Sequence, residues 1–196
     1  MDDPLGFAVG NSLEVIECIE TLKGRGPADL AELSLELAAR MVALSGVAPS
    51  LDDARRRVGE ALSSGRGLEK FRDLVARQGG DQKCLDDYKR LPLADKRLKV
   101  PSPRSGYIVA MKAEPIGRAA MRLGAGRDRA EDAVDPGVGI LLRVVVGEWV
   151  KAGDTLAELY GRDDARLAEA AATFLAACEF GDAPSAPRPL IRETIG

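Results

Sequence analysis

The sequence predicts a chain of mixed fold class, α/β (α+β), with a helical first part and a compact α+β second part. Over the first 80 residues, apolar side chains recur at three- and four-residue steps, the spacing of one helix face. From Lys99 onward, short β-type runs are broken by proline and glycine instead. Between the two patterns lies a polar stretch, "DQKCLDDYKRLPLADKR", which is typical of a connector.

Four helices are predicted in the first part. Asn11 or Ser12 can cap the first helix, which runs to about Leu22. Pro27 opens a second helix. Ser50 caps a third, and "GLEKFRDLVARQGG" predicts a fourth. The apolar stripe of the second helix consists of Leu30, Leu33, Leu37, Met41 and Leu44.

The second part follows the order β, α, β, β, α, β. The segment "EPIGRAAMRLGAG" predicts a short helix ended by glycine, and "GVGILLRVVVGEWVKAGDTLAELY" predicts two strands joined by a turn. A long amphipathic helix follows in "DDARLAEAAATFLAACEF", and "RPLIRETIG" predicts a final strand. This order favours a compact α+β domain that resembles a small glycine-turned β-sandwich.

Composition excludes several classes of function. The 196 residues contain no histidine, so Ser-His-Asp catalysis and HExxH zinc chemistry are absent. A net charge of −3 without a sustained basic stripe gives no reason to expect nucleic-acid binding. No apolar run approaches the roughly 20 residues of a membrane span. Three widely spaced cysteines indicate reduced thiols in a cytoplasmic protein.

Two motifs that suggest cofactors have simpler interpretations. The stretch "AMKAE" resembles a biotin-attachment sequence, but the segment "VVVGEWVKAGDTLAEL" follows it, where attachment domains have the reverse order. We interpret Lys112 as an ordinary strand-end lysine. Gly124 and Gly126 suggest a phosphate-binding loop, but Arg129 replaces the third glycine of GxGxxG, and these glycines close a helix instead of opening one.

The opening stretch "DPLGFAVGN" is the best candidate site on the residues alone. A proline and two glycines in seven residues impose an irregular path that turns carbonyl oxygens to one side. Glu14 or Glu17 of the following helix can then face those carbonyls. Carbonyl oxygens together with one carboxylate suit a hard cation. The alternative is a simple helix-entry loop.

The same stretch resembles the pyrimidine-nucleoside and thymidine phosphorylases, whose corresponding segment reads M-x-Q-P-L-G-x-x-V-G-N-x-L-E-V. The resemblance continues in the same order through "DLAELSLELAARMVAL", "QGGD", "SGYIVAM", "IGRAAMRLGAGR", "VGILLRVVVGEWVKAGDTLAELY" and "RPLIRETI". It implies that residues 1–95 are the last part of the family's α/β domain and that residues 96–196 are its C-terminal α+β domain.

The resemblance also implies an activity. Such enzymes cleave the N-glycosidic bond of uridine, thymidine or deoxyuridine with inorganic phosphate as co-substrate, and they release the base and a pentose 1-phosphate. Family members are homodimers. Their phosphate-binding loop, base-binding residues and dimer-interface helices lie upstream of the "PLG" segment, so none can be assigned here. We therefore expect this chain to be inactive alone, with no catalytic or substrate-binding residues of its own.

One family feature maps onto this sequence. Bacterial members hold a monovalent cation, potassium, which the resemblance assigns to the main-chain carbonyls of Leu5 and Ala8 and the carboxylate of Glu17. The other ligands belong to the missing loop, so the site would be half complete.

Two hypotheses follow. The chain is the C-terminal part of such an enzyme, with Met1 an internal methionine and the rest supplied upstream or by an N-terminal partner chain. Alternatively, it is a non-catalytic stand-alone binding or structural module. Helices that normally cover a sheet would then leave their apolar stripes exposed to water. This exposure costs about 25 cal/mol of free energy for each Å² of apolar surface.

Overall fold

The computed structural model describes residues 2–127, 129–186 and 188–195. The chain divides into two compact units. We call Met1–Val15 with Leu91–Arg188 the mixed unit, and Ile16–Arg90 with Pro189–Gly196 the helical unit. The chain thus passes from one unit to the other three times. These boundaries differ from the predicted division at residue 95. That division refers to the domains of a whole enzyme, and it stays a prediction.

The described residues contain six α-helices and seven strands. The helices are α1 (Asn11–Leu22), α2 (Ala28–Leu44), α3 (Leu51–Ser63), α4 (Arg66–Arg77), α5 (Ala113–Leu123) and α6 (Asp164–Ala177). The strands are β1 (Ala8–Val9), β2 (Lys96–Pro101), β3 (Gly106–Met111), β4 (Gly139–Leu142), β5 (Trp149–Val150), β6 (Thr155–Gly161) and β7 (Cys178–Gly181). Two short 3₁₀ helices, Gln82–Leu85 and Tyr88–Arg90, lie in the predicted connector.

Two antiparallel sheets form the mixed unit. The four-stranded sheet has the order β1-β4-β6-β2, and the three-stranded sheet has the order β5-β3-β7. Helices α5 and α6 pack on each other and against the four-stranded sheet. The predicted mixed α+β class is confirmed. The sequence predicted two strands between residues 137 and 160, but the structure has three, because β4 and β6 pair with each other while the short β5 pairs with β3.

Large side chains fill the core of the mixed unit. Phe174 of α6, Ile108 of β3, and Ile140 and Leu159 of the four-stranded sheet are completely inaccessible to solvent. Ile140 of β4 lies directly opposite Leu159 of β6, so their side chains share one face of the sheet, and α5 contacts β4 while α6 contacts β6. The mixed unit therefore has a self-contained hydrophobic core.

The helical unit has a much smaller core. One buried cluster consists of Ala39, Ala48 and Ala54, with Val42 and Val58 packed beside them, and Ile19 and Leu85 are also fully buried in this unit. Ser50 caps α3 as predicted, accepting a hydrogen bond from the Asp53 N–H at 3.2 Å.

Part of the apolar surface of this unit is open. No residue of α4 is buried, and Leu37, Met41 and Leu44 of the predicted α2 stripe are exposed. Leu30 and Leu33 of the same stripe are partly buried.

The predicted final strand is wrong. Residues 188–195 form no strand, although Leu190, Ile191 and Ile195 supply apolar side chains. Their backbone is not paired to either sheet of the mixed unit. Instead, Thr194 accepts a hydrogen bond from Arg40 of α2 at 3.1 Å, so this end of the chain belongs to the helical unit.

Candidate functional site

The opening loop is built into the mixed unit. The Ala113 N–H at the start of α5 donates to the Asp2 carbonyl at 2.9 Å, and the Leu142 N–H donates to the Phe7 carbonyl at 2.8 Å. Strand β1 then pairs antiparallel with β4. The loop is therefore held as the edge of the four-stranded sheet.

The direction of the Ala8 carbonyl follows from the register of this pairing. Ala8 lies opposite Leu141, and the flanking residue Phe7 accepts from Leu142. In an antiparallel ladder this makes Ala8 and Leu141 a non-hydrogen-bonded pair, so the Ala8 carbonyl points away from β4. This orientation is compatible with a carbonyl that acts as a cation ligand. Leu5 lies in the same loop, and its side chain is exposed.

The first turn of α1 uses Glu14 for capping. The Glu14 carboxylate accepts a hydrogen bond from the Gly10 N–H at 2.8 Å, which satisfies one of the free N–H groups at the helix start. The Ser12 N–H donates to the Pro136 carbonyl at 3.0 Å. Because Glu14 serves as a cap, it is the weaker of the two carboxylates considered as cation ligands.

Glu17 lies one turn further along α1, in the helical unit. It is half-buried, and its main-chain carbonyl accepts a hydrogen bond from the Thr21 hydroxyl at 2.8 Å. Leu5 and Ala8 thus belong to the mixed unit and Glu17 to the helical unit. That the three residues share one cation stays a prediction. Over the described residues, no three His, Cys, Asp or Glu side chains form a metal-binding group.

A small cavity opens beside this loop within the mixed unit. Its volume is ≈ 110 Å³. Ligand pockets for drug-sized molecules generally measure about 300–1,000 Å³, so this cavity is too small for a nucleoside. The residues around it are Val9, Gly10, Asn11, Glu14, Gly117, Ala120, Met121 and Ala125.

A polar network that the sequence did not predict joins α1 to the second 3₁₀ helix. The Tyr88 hydroxyl donates to Glu20, which also accepts from Arg25 at 2.8 Å, and Lys23 lies over the Tyr88 ring at 5.0 Å. The hydrogen bond from Arg25, assisted by Tyr88, lowers the pKa of Glu20 to about 2. Burial, with the bond to Glu20, raises the pKa of Tyr88 to about 12. Both groups keep a fixed protonation state near neutral pH, so the network is structural. A polar connector gives no periodic signal from which it could have been found.

Both rejected motifs have the simple roles that the sequence suggested. Lys112 follows β3 and forms an ion pair with Glu179 at 2.6 Å. Gly124 ends α5 with φ +108°, a left-handed conformation suited to glycine at a helix C-terminus.

Comparisons with known proteins agree with this architecture. The family model for the pyrimidine nucleoside phosphorylase C-terminal domain matches residues 107–181, from β3 to β7. Residues 107–181 therefore resemble a pyrimidine nucleoside phosphorylase C-terminal domain. The resemblance of the chain to the C-terminal part of this family is thereby confirmed.

Bacterial relatives extend the match beyond this domain. The chain is 49% identical over 160 residues to the pyrimidine-nucleoside phosphorylase of Bacillus subtilis, and 44% identical over the same length to those of Staphylococcus epidermidis and Staphylococcus aureus. Each match covers 82% of this chain and 37% of the relative. The chain therefore spans little more than a third of the length of the curated relatives that it matches.

None of the helices within residues 2–127, 129–186 and 188–195 has both the length and the apolar character that a membrane span requires.

Proposed function

We propose that this chain is the C-terminal part of a pyrimidine-nucleoside phosphorylase. In that enzyme it would serve the phosphorolysis of a pyrimidine nucleoside to the free base and a pentose 1-phosphate. The observation that carries this proposal is the match of 160 residues at 44–49% identity to enzymes of that name. The substrates, the cytoplasmic location and the homodimer are part of the same proposal.

Catalysis in this proposal depends on an N-terminal part. The chain offers no histidine, and the cavity beside the opening loop is too small for a nucleoside. The phosphate and base would be bound by residues supplied upstream in the same polypeptide or by a partner chain. The mixed unit would form the C-terminal domain of the assembled enzyme.

The deciding experiment is complementation. This chain is mixed with the N-terminal part of the Bacillus subtilis relative, uridine or thymidine and inorganic phosphate, and the released base is measured. We expect no release by either part alone and measurable release by the mixture. The two parts of the Bacillus subtilis enzyme, divided at the same position, are the positive control. Activity of this chain alone, or none in a mixture whose control is active, would contradict the proposal.

A stand-alone module is the second candidate, because the mixed unit has its own core. Limited proteolysis of the chain distinguishes the two. A resistant fragment beginning near Leu91 that retains residues 1–15, with the helical unit digested, indicates that only the mixed unit is stable by itself. Equal resistance of both units to the protease favours the stand-alone module.

The predicted potassium ion is part of the first proposal, in which the chain is the C-terminal part of a phosphorylase. Leu5 and Ala8 would supply main-chain carbonyl oxygens and Glu17 a carboxylate oxygen, a donor set that suits potassium and lacks any soft ligand. A bound monovalent cation would supply positive charge near the phosphate, with its remaining ligands contributed by the N-terminal part.

A further inference from the structure

Helix α2 buries Ala39 and exposes three of its large apolar residues. Ala39 is fully buried in the alanine cluster, whereas Leu37, Met41 and Leu44 are 53%, 71% and 89% exposed. At about 3.6 residues per turn, these three side chains share one helix face, roughly opposite Ala39. We call Leu37, Met41 and Leu44 the outer stripe. Such a stripe normally packs against another layer of structure, because apolar area removed from water stabilises the assembly.

The C-terminal segment, residues 189–195, is attached beside the outer stripe. Arg40, which donates to the Thr194 hydroxyl, lies three residues from Leu37 and four from Leu44, so it is their neighbour on the helix surface. Arg40 is itself fixed, since Glu36 binds it at 2.8 Å and also accepts from Arg55 of α3 at 2.8 Å.

The attached segment is apolar in part. It contributes Leu190 and Ile191, which are both exposed, and Ile195, which is 89% exposed. Ile195 directly follows Thr194, the residue that Arg40 binds beside the outer stripe.

We propose that the outer stripe and the C-terminal segment form one docking surface, and that its occupant is the N-terminal part of the phosphorylase. The inference rests on the proposed function. Relatives of this chain have nearly two thirds of their length outside the matched region, which is ample to supply the covering layer. The last residues of the chain thus act in assembling the enzyme.

A second copy of this chain fits the surface less well. Partners in a standard protein interface each contribute about 20–30 residues, whereas the stripe and segment offer only a narrow strip of apolar side chains. Helix α4 of the same unit also buries no residue, and its Leu74 is 47% exposed. Exposed apolar side chains on two helices of one small unit are typical of a missing layer.

The test measures binding of this chain to the N-terminal part of the Bacillus subtilis relative by titration calorimetry. The stripe variant carries Met41→Glu and Leu44→Glu, and the segment variant ends at Arg188. We expect the stripe variant to bind at least 100-fold more weakly and the segment variant about 10-fold more weakly. Val145→Glu is the control, because Val145 is an apolar residue of the mixed unit that is 49% exposed. It should bind like the unaltered chain.

Each other outcome has a defined meaning. Unchanged helix content by circular dichroism establishes that the variants are folded, since the substituted residues are exposed. Binding that is strong and unaffected by both variants overturns this inference and leaves the proposed function standing. Absence of any binding, while the two Bacillus subtilis parts bind each other, overturns both. A dimer of the chain that sediments as a monomer after Met41→Glu identifies a second copy as the occupant and overturns the inference.

Discussion

Gly10 and Gly139 pack backbone against backbone where the opening loop meets strand β4. A β-carbon on Gly10 would lie 2.8 Å from the α-carbon of Gly139 and 2.5 Å from the carbonyl oxygen of Val138. A β-carbon on Gly139 would in turn overlap the carbonyl oxygen of Val9. Gly10 also has φ +124°, a conformation that other residues rarely adopt. These two glycines therefore fix the path from β1 into α1.

Gly10→Ala should destabilise the mixed unit by about 2–4 kcal/mol, because the added methyl group clashes with backbone and the positive φ is strained. Chemical denaturation followed by circular dichroism measures the loss. Gly153→Ala is the control, since Gly153 has φ +91° and a β-carbon added there would meet nothing within 4 Å. The free energy of unfolding of the Gly153→Ala variant should fall by only about 1–2 kcal/mol. Equal losses in the two variants would contradict the close packing of Gly10.

Glu36 should make the helical unit sensitive to acid. The hydrogen bond from Arg55, supported by Arg40, lowers the pKa of Glu36 from 4.5 to about 2. A carboxyl group whose pKa is lower in the folded chain than in the unfolded chain stabilises the folded state fully at pH values above its unfolded pKa. This stabilisation is lost as the pH falls from about 4.5 to about 2. Glu36→Gln should therefore unfold more easily than the unaltered chain at neutral pH, with the difference shrinking over that acid range. A difference in urea midpoint that is independent of pH would show that the carboxylate charge is irrelevant.

The three thiols should react at different rates. Cys18 is exposed, whereas Cys84 and Cys178 are buried, and burial raises the pKa of the Cys178 thiol to about 11. Because the thiolate is the reactive form, an aromatic disulfide reagent near neutral pH should modify Cys18 first. Cys18→Ser should remove the fast phase, and denaturant should make all remaining thiols react together. Fast labelling of Cys178 in the folded chain would contradict its burial.

Cation binding by the isolated chain should be weak, because Leu5, Ala8 and Glu17 are only part of the expected ligand set. Titration with Tl⁺, followed by thallium magnetic resonance, measures the affinity. Adding the N-terminal part should strengthen binding, and Glu17→Gln should abolish that gain. Glu14→Gln is the matched control on the same helix. It should weaken the cap at the start of α1 more than it weakens cation binding. Tight, Glu17-dependent binding by the isolated chain would show that the site is already complete.

Much of the secondary structure was predictable from local patterns. Ser50 before an apolar repeat predicts the start of α3, and Gly124 after one predicts the end of α5; both are present. These signals are local because a cap or a left-handed glycine acts within one helical turn. The predicted final strand is absent because apolar residues such as Leu190 and Ile191 favour only an extended segment, whereas a strand also requires a free sheet edge with which to pair.

The sequence by itself determined the helical first part, the α+β second part, the family resemblance and the absence of histidine chemistry. Only the tertiary structure decided which face of each element is covered. It buried Ala39 and exposed Leu37, Met41 and Leu44, it assigned Glu14 to capping, and it attached Thr194 to Arg40. The physical reason is that apolar periodicity marks a face that can be buried, whereas burial itself depends on whether another layer is present to pack against it.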